Sequence, residues 1–160
     1  MTKYHMFKKE KEILDVEVLY DVLKKGKFTT ISLSENNKPY IVTMNYGYDE
    51  GNKSLYFHCA QKGFKLDILS QNPSVCATVM EDHGYKMDEC SHAYRSVVFW
   101  GTLSVVQELE EKKFGMEILF RHLETNPDPI RERNLKTDRD YSKVKILRLD
   151  IEEITGKQGQ

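Results

Sequence analysis

The side chains best suited to chemistry near neutral pH are five histidines and three cysteines. His58 lies in Leu55-Tyr56-Phe57-His58-Cys59-Ala60. On a strand, Tyr56, His58 and Ala60 share one face and Phe57 and Cys59 the other, so both faces are mostly apolar. That pattern predicts a buried strand with His58 in or beside a cavity, where an imidazole can exchange a proton. The plainer alternative is a core histidine bonded to a backbone carbonyl. Directly afterwards, Gln61-Lys62-Gly63-Phe64-Lys65 opens a short helix. Free N–H groups at a helix start, a glycine and two lysines suit a phosphate or carboxylate. A solvated turn has the same composition, and nothing in the chain matches the GxxxxGK[ST] of a P-loop.

Other reactive residues lack a supporting pattern. Cys90 and His92 sit near Asp82, His83, Asp88 and Glu89, but no spacing matches a zinc module, and metal binding is not expected. Ser96 follows Tyr94-Arg95 without the GxSxG of a nucleophile elbow, which leaves hydrolase chemistry unsupported. Arg131, Arg133, Lys136 and Arg139 are interrupted by Glu132, Asp138 and Asp140, the composition of a solvated surface. Cys59, Cys76 and Cys90 are odd in number and form no CxxC, which points to a reducing, cytoplasmic setting.

The elements that must position these residues alternate between strand and helix patterns. Residues 1–12 are polar and lysine-rich, a flexible arm ahead of a single domain over 13–157. Asp15 can cap a helix to about Lys25, with Val16, Leu19, Val22 and Leu23 on one face. Strands follow at 28–34, 39–48 and 54–60, joined by polar turns as in an antiparallel meander. A short helix over 64–70 turns Leu66 and Leu69 inward and stops at Asn72-Pro73. Strands at 74–80 and 94–106 flank a polar loop, 82–93, and Gly101 marks a bulge or close backbone approach. Residues 108–124 form a second full helix with Phe114, Ile118, Leu119 and Leu123 as its core stripe. Residues 125–142 read as a long charged loop before a last strand. Six strands with two full helices predict a mainly β (α+β) fold, a small antiparallel barrel with peripheral helices.

Composition bounds the function. The 160 residues are 39% hydrophobic and 31% charged, one domain's worth of core. Twenty-four basic against twenty-five acidic residues offer no net positive charge for nucleic acid. Mean hydropathy is -0.59, with no 18-residue apolar run and no apolar leader at the N-terminus, so neither membrane nor secretion is expected.

Taken in order, several segments resemble the pyridoxamine 5'-phosphate oxidase-like flavin-binding split barrels, and more closely the branch with the 5-nitroimidazole resistance proteins. They are Lys38-Pro39-Tyr40-Ile41-Val42-Thr43-Met44-Asn45-Tyr46-Gly47-Tyr48, then Leu55-Tyr56-Phe57-His58-Cys59-Ala60 with Gly63 and Lys65-Leu66-Asp67. Asn72-Pro73-Ser74-Val75-Cys76, Tyr94-Arg95-Ser96-Val97-Val98-Phe99-Trp100-Gly101 and Ile151-Glu152-Glu153-Ile154-Thr155-Gly156-Lys157 continue the match. The resemblance implies a six-stranded split barrel and a homodimer with FMN at the subunit interface. It places Val42, Thr43, Met44 and Asn45 along the flavin edge, His58 and Ala60 beside it, and Lys62 and Lys65 on the phosphate. Tyr94 and Ser96 fall where the family brings a strand against the cofactor, and His58 is the catalytic candidate.

Phe64 stands where the family carries an arginine, and the second strand lacks the family's arginine-led motif, which argues against pyridoxamine phosphate as substrate. The expected activity is therefore electron transfer from NAD(P)H to a small organic acceptor such as a nitroaromatic compound. The rival is a non-catalytic flavin- or haem-binding dimer, with His5, His58, His83, His92 or His122 as haem ligand. A pyridoxine-phosphate-type enzyme and a scaffold that binds nothing redox-active are further alternatives.

Overall fold

A computed structural model describes residues 6–159. The elements run α1 (Val16–Lys25), β1 (Phe28–Glu35), β2 (Lys38–Asn45), β3 (Gly47–Asp49), β4 (Ser54–Cys59) and α2 (Phe64–Gln71). They continue β5 (Ser74–Lys86), β6 (Ser91–Val105), α3 (Leu109–Leu123), α4 (Asp128–Asn134), α5 (Asp138–Ser142) and β7 (Lys145–Gly159). Residues 1–5, the first part of the expected arm, lie outside the described residues, and Glu12 bridges to Lys157. The seven strands form one antiparallel sheet in the order β2-β1-β5-β6-β7-β4-β3. This is a mainly β split-barrel architecture with helices around it.

Seven strands stand where six were expected, because the stretch 39–48 changes partner. Up to Asn45 it pairs with β1, and from Gly47 it pairs with β4. The two edges of the sheet are thus consecutive in the chain and joined through Tyr46, and no hydrogen-bonded ladder closes the barrel. Tyr46 is fully buried, and its hydroxyl donates to the Leu23 carbonyl at 2.7 Å, in the last turn of α1. One side chain therefore pins the crossing and satisfies a helix-end acceptor.

α1 begins as its sequence predicts, with the Asp15 carboxylate accepting from the Glu17 N–H at 2.9 Å. Leu19, Val22 and Leu23 are buried, whereas Val16 stays exposed. In α2 the buried pair is Ile68 and Leu69, with Leu66 only partly covered. The α3 stripe is also rotated from the expected one. Gly115, Met116, Leu119 and Phe120 are buried, while Phe114 is exposed with its ring edge-on to Tyr56. The missing side chain at Gly115 causes this: a Cβ there would come within 2.6 Å of the Tyr56 ring, so the helix seats on its glycine.

Two expected loops are ordered elements. The polar stretch 82–93 extends β5 and β6 into a hairpin, with Tyr85 opposite His92 and Lys86 opposite Ser91. Asp88 and Cys90 take positive φ at its tip. The charged stretch 125–142 contains α4 and α5. Arg131 ties α4 to α3 through Glu117 at 2.8 Å, and the Asp140 carboxylate accepts from the Thr137 N–H at 3.0 Å at the start of α5. At Gly101 the β6–β7 register slips by one residue, and a Cβ would fall 2.0 Å from the Asp150 carbonyl oxygen. The close approach expected at this glycine is therefore present.

The main core lies inside the curled sheet, with Ile31, Leu33, Leu55, Phe57, Phe99 and Leu149 buried and α1 packed against it. A second, smaller core joins the outer side of β4 to α3 and the segment after it, through Tyr56, Val106, Met116, Leu119, Phe120, Leu135 and Ile146.

Candidate functional site

The change of partner at Tyr46 makes a fork. Gly47 pairs with Tyr56, the end of the β3–β4 ladder toward the fork. Beyond it β2 departs to join β1, while Phe57, His58 and Cys59 continue along β7. As the edge strand, β2 has backbone N–H and C=O groups without a strand partner, and β4 has the same on the side it turns to the fork. Such edges can take up a planar ligand that carries donors and acceptors around its rim.

The expected site residues distribute around this fork unevenly. Val42 and Met44 pack their side chains against the main core, so only their backbone is available. Thr43 and Asn45 face outward: the Thr43 hydroxyl lies 2.9 Å from that of Thr30, and the Asn45 amide donates to the Lys27 carbonyl. On the other arm Ser54, Leu55, Tyr56 and Phe57 are buried, but His58 is exposed. The expectation of a fully buried strand fails at its last turnward residues; that of an imidazole beside a cavity holds. His58 has no hydrogen-bond partner among the described residues, so the core-histidine alternative does not apply. Burial pushes the neighbouring Cys59 thiol up, with Lys65 and Lys145 opposing, so it is a poor source of thiolate.

Ala60, Lys62, Gly63 and Lys65 follow at the end of that arm. Gly63 precedes α2 with φ 149°, a conformation suited to glycine, and its carbonyl accepts from Leu66 and Asp67. Lys62 and Lys65 form no ion pair among the described residues. The exposed Phe64 ring lies edge-on to Tyr40 with centroids 5.1 Å apart.

Tyr94 and Ser96 are not brought to this site. They lie on β6, two strands from β4 and three from β2, about 10 and 14 Å across a sheet. The face carrying Ser96 also carries Met80, opposite it on β5. Met80, Phe28 and Ile41 are each more than half exposed.

The remaining histidines are occupied. The His92 Nε2 lies 2.7 Å from an Asp82 oxygen, and His83 contacts Glu81 at 3.3 Å. His122 donates to the Gly26 carbonyl at 2.6 Å, and burial lowers its pKa. His5 is outside the described residues.

Behind His58 opens a cavity of about 450 Å³, within the usual range for small-molecule sites. Met116, Leu119, Phe120 and Leu123 of α3, Ile130 and Leu135 of the following segment, and Val144 supply its apolar walls. This cavity went unseen because 125–142 read as solvated loop. The available signals were the Asn126-Pro127-Asp128-Pro129 helix start and the Thr137-to-Asp140 capping pair.

The sequence pattern of the family described as pyridoxamine 5'-phosphate oxidase spans residues 15–158. A candidate 5-nitroimidazole antibiotic resistance protein from Bacteroides thetaiotaomicron is 26% identical over 91% of this chain and 85% of its own, with a TM-score of 0.76. A flavocytochrome from Azotobacter vinelandii, 16% identical, superposes over 100% of this chain and 75% of its own with a TM-score of 0.82. An FAD- and haem-binding protein from Mycobacterium smegmatis, 21% identical, covers 94% of this chain and 74% of its own, with a TM-score of 0.75. No curated protein matches the chain. No helix among the described residues is long and apolar enough to cross a membrane. Because the family pattern runs through nearly every element of the fold, the chain belongs to the pyridoxamine 5'-phosphate oxidase family.

Proposed function

We propose that this protein is a flavin-dependent oxidoreductase that passes electrons from NAD(P)H to a small organic acceptor, nitroaromatic compounds included, and that it holds FMN as a homodimer. The fork between β2 and β4 carries this reading, because it offers a free strand edge, with His58 on its β4 arm and two lysines, unpaired among the described residues, following that arm. The residues fit the group. Backbone N–H and C=O groups of β2 around Val42, Thr43, Met44 and Asn45 match the donor–acceptor rim of a flavin pyrimidine. Lys62 and Lys65 match its phosphate, and Ala60 leaves room beside the ring. A bound flavin supplies hydride uptake and electron delivery, which no side chain here provides. His58, with no competing partner, hydrogen-bonds the acceptor or hands it a proton. The outward face with Phe28, Ile41 and Met80 suits a second copy, from which Tyr94 and Ser96 would reach the flavin. Three unpaired cysteines fit a reducing cytoplasm.

The test is the visible spectrum of the purified protein, before and after separate addition of FMN and haem, followed by NAD(P)H oxidation with and without a nitro acceptor. Twin flavin bands that survive desalting, with acceptor-dependent oxidation, are expected. A Soret band would move the reading to haem, for which His58 is the described histidine without a partner. A protein that retains neither would sink the oxidoreductase reading.

A further inference from the structure

The cavity behind His58 has a chemical character that selects its ligand. Its walls are aliphatic and aromatic, and its polar groups sit at the rim: His58, Glu124, Asn134, Asp140 and Lys143. The rim charges are one lysine against two carboxylates, and the lysine is already engaged, with Lys143 3.2 Å from an Asp140 oxygen. The other Asp140 oxygen accepts from the Lys136 and Thr137 N–H groups. Glu124 has no partner among the described residues, so an anion entering here would meet an uncompensated carboxylate and no free cation. Desolvating its charge against Leu119, Leu123 and Ile130 would be unfavourable and uncompensated. A neutral ring loses no such hydration and gains contact with the apolar walls. His58 and Asn134, whose side chains have no hydrogen-bond partner among the described residues, remain to meet one polar atom of that ring.

We infer that this cavity binds uncharged, mainly apolar ring compounds bearing one carbonyl-type oxygen, and that it excludes their carboxylate and phosphate counterparts. His58 borders both the fork and the cavity, so a ligand seated there presents its oxygen beside the electron-delivering group. That role as acceptor site rests on the flavin reading; the binding selectivity does not.

The probes are 4'-fluoroacetophenone and 4-fluorobenzoate, titrated into the purified full chain at pH 7.5 and read by fluorine NMR. The ketone is expected to bind saturably and the carboxylate at least about tenfold more weakly, a difference of about 1.4 kcal/mol. Ile130→Trp, which fills the cavity from α4, should weaken the ketone by about tenfold or more. In unmutated protein labelled at the methionine methyls, the ketone should shift Met116 and leave the exposed Met80 and Met87 in place. Equal binding of the two probes overturns the selectivity, and an unmoved Met116 overturns the site, whether or not the variant folds. Ketone binding with Met116 shifted in a protein that oxidises no NAD(P)H upholds the cavity and fails only the oxidoreductase reading.

Discussion

Gly47 is where the fold can be tested most sharply, because β3 meets the backbone of α3 there and not a side chain. A Cβ on Gly47 would stand 2.5 Å from the Leu119 nitrogen and 2.7 Å from both the Ile118 carbonyl carbon and the Leu119 Cα. Contacts under 3.0 Å are essentially never made by real Cβ atoms, and helix backbone cannot swing aside as a side-chain tip can. Gly47→Ala must therefore lift α3 off the sheet. Overpacking costs about 1–3 kcal/mol, and the rigidity of the obstacle puts this case at about 3. Alanine in a strand recovers about 0.5–1 kcal/mol of the conformational entropy that glycine loses. The net expectation is a loss of about 2 kcal/mol, or roughly 4–8 °C in Tm for a chain of this size. Urea unfolding followed by circular dichroism measures it. Gly51→Ala serves as the control, since its Cβ would meet only an Asp49 oxygen at 3.5 Å, an ordinary contact. Because α3 supplies the long wall of the cavity, the same variant should also bind 4'-fluoroacetophenone less tightly. If Gly47→Ala matches the control in both stability and binding, α3 does not rest on β3 in the manner described.

Three further outcomes are expected. Tyr46→Phe removes the buried hydroxyl that bonds the Leu23 carbonyl and should cost about 1–2 kcal/mol by urea unfolding; a neutral change would show that carbonyl satisfied otherwise. His122 carries a lowered pKa, from burial first, with the Gly26 bond opposing and Lys27 assisting. The unfolded imidazole, near pH 6.5, takes up a proton that the folded one resists. Its contribution is therefore complete above about pH 6.5 and is lost as the pH falls toward the folded value. Stability measured at pH 7.5 and pH 5.5 should differ less in His122→Gln than in the unmutated protein, and an identical pH dependence would release His122 from this role. Lys65→Ala should weaken flavin binding by about tenfold to somewhat over a hundredfold, the worth of a charged hydrogen bond, as read by fluorescence titration. Unchanged affinity would remove Lys65 from the phosphate site.

What was legible in the sequence follows from how local the cause is. Asp15 as a helix cap, the turns at 35–38 and 49–52, and the irregularity at Gly101 are written in residues that act on their own neighbourhood. The fork is not, because Lys38 to Asp49 alternates without a break, and a strand that changes partner keeps the same alternation as one that does not. Only Tyr46, a large aromatic bonded back to Leu23, marks the crossing, and its meaning depends on α1 lying beneath it. The rotated face of α3 has a similar origin. Phe114, Ile118, Leu119 and Leu123 form a fair apolar stripe, but Gly115 admits Tyr56 and turns the helix by its shape.

The stretch 125–142 shows how a cavity can hide in a charged segment. Most of its side chains are solvated, and that majority set its reading as loop. The few apolar residues, Ile130, Leu135 and Tyr141, all pack toward the core shared by α3 and β4, together with Val144 beyond the segment. Three or four such anchors leave space between them, which a continuous apolar face would have filled. The same sparse packing explains the charge character of the rim. Asp140 is consumed by the start of α5 and by Lys143, and Arg131 by Glu117 and Asp128, while Glu124 has no counter-ion among the described residues. A phosphorylated substrate would find one cation on the cavity lining, Lys143, already paired with Asp140. Lys62 and Lys65, which form no ion pair among the described residues, lie around the start of α2 and outside the cavity lining.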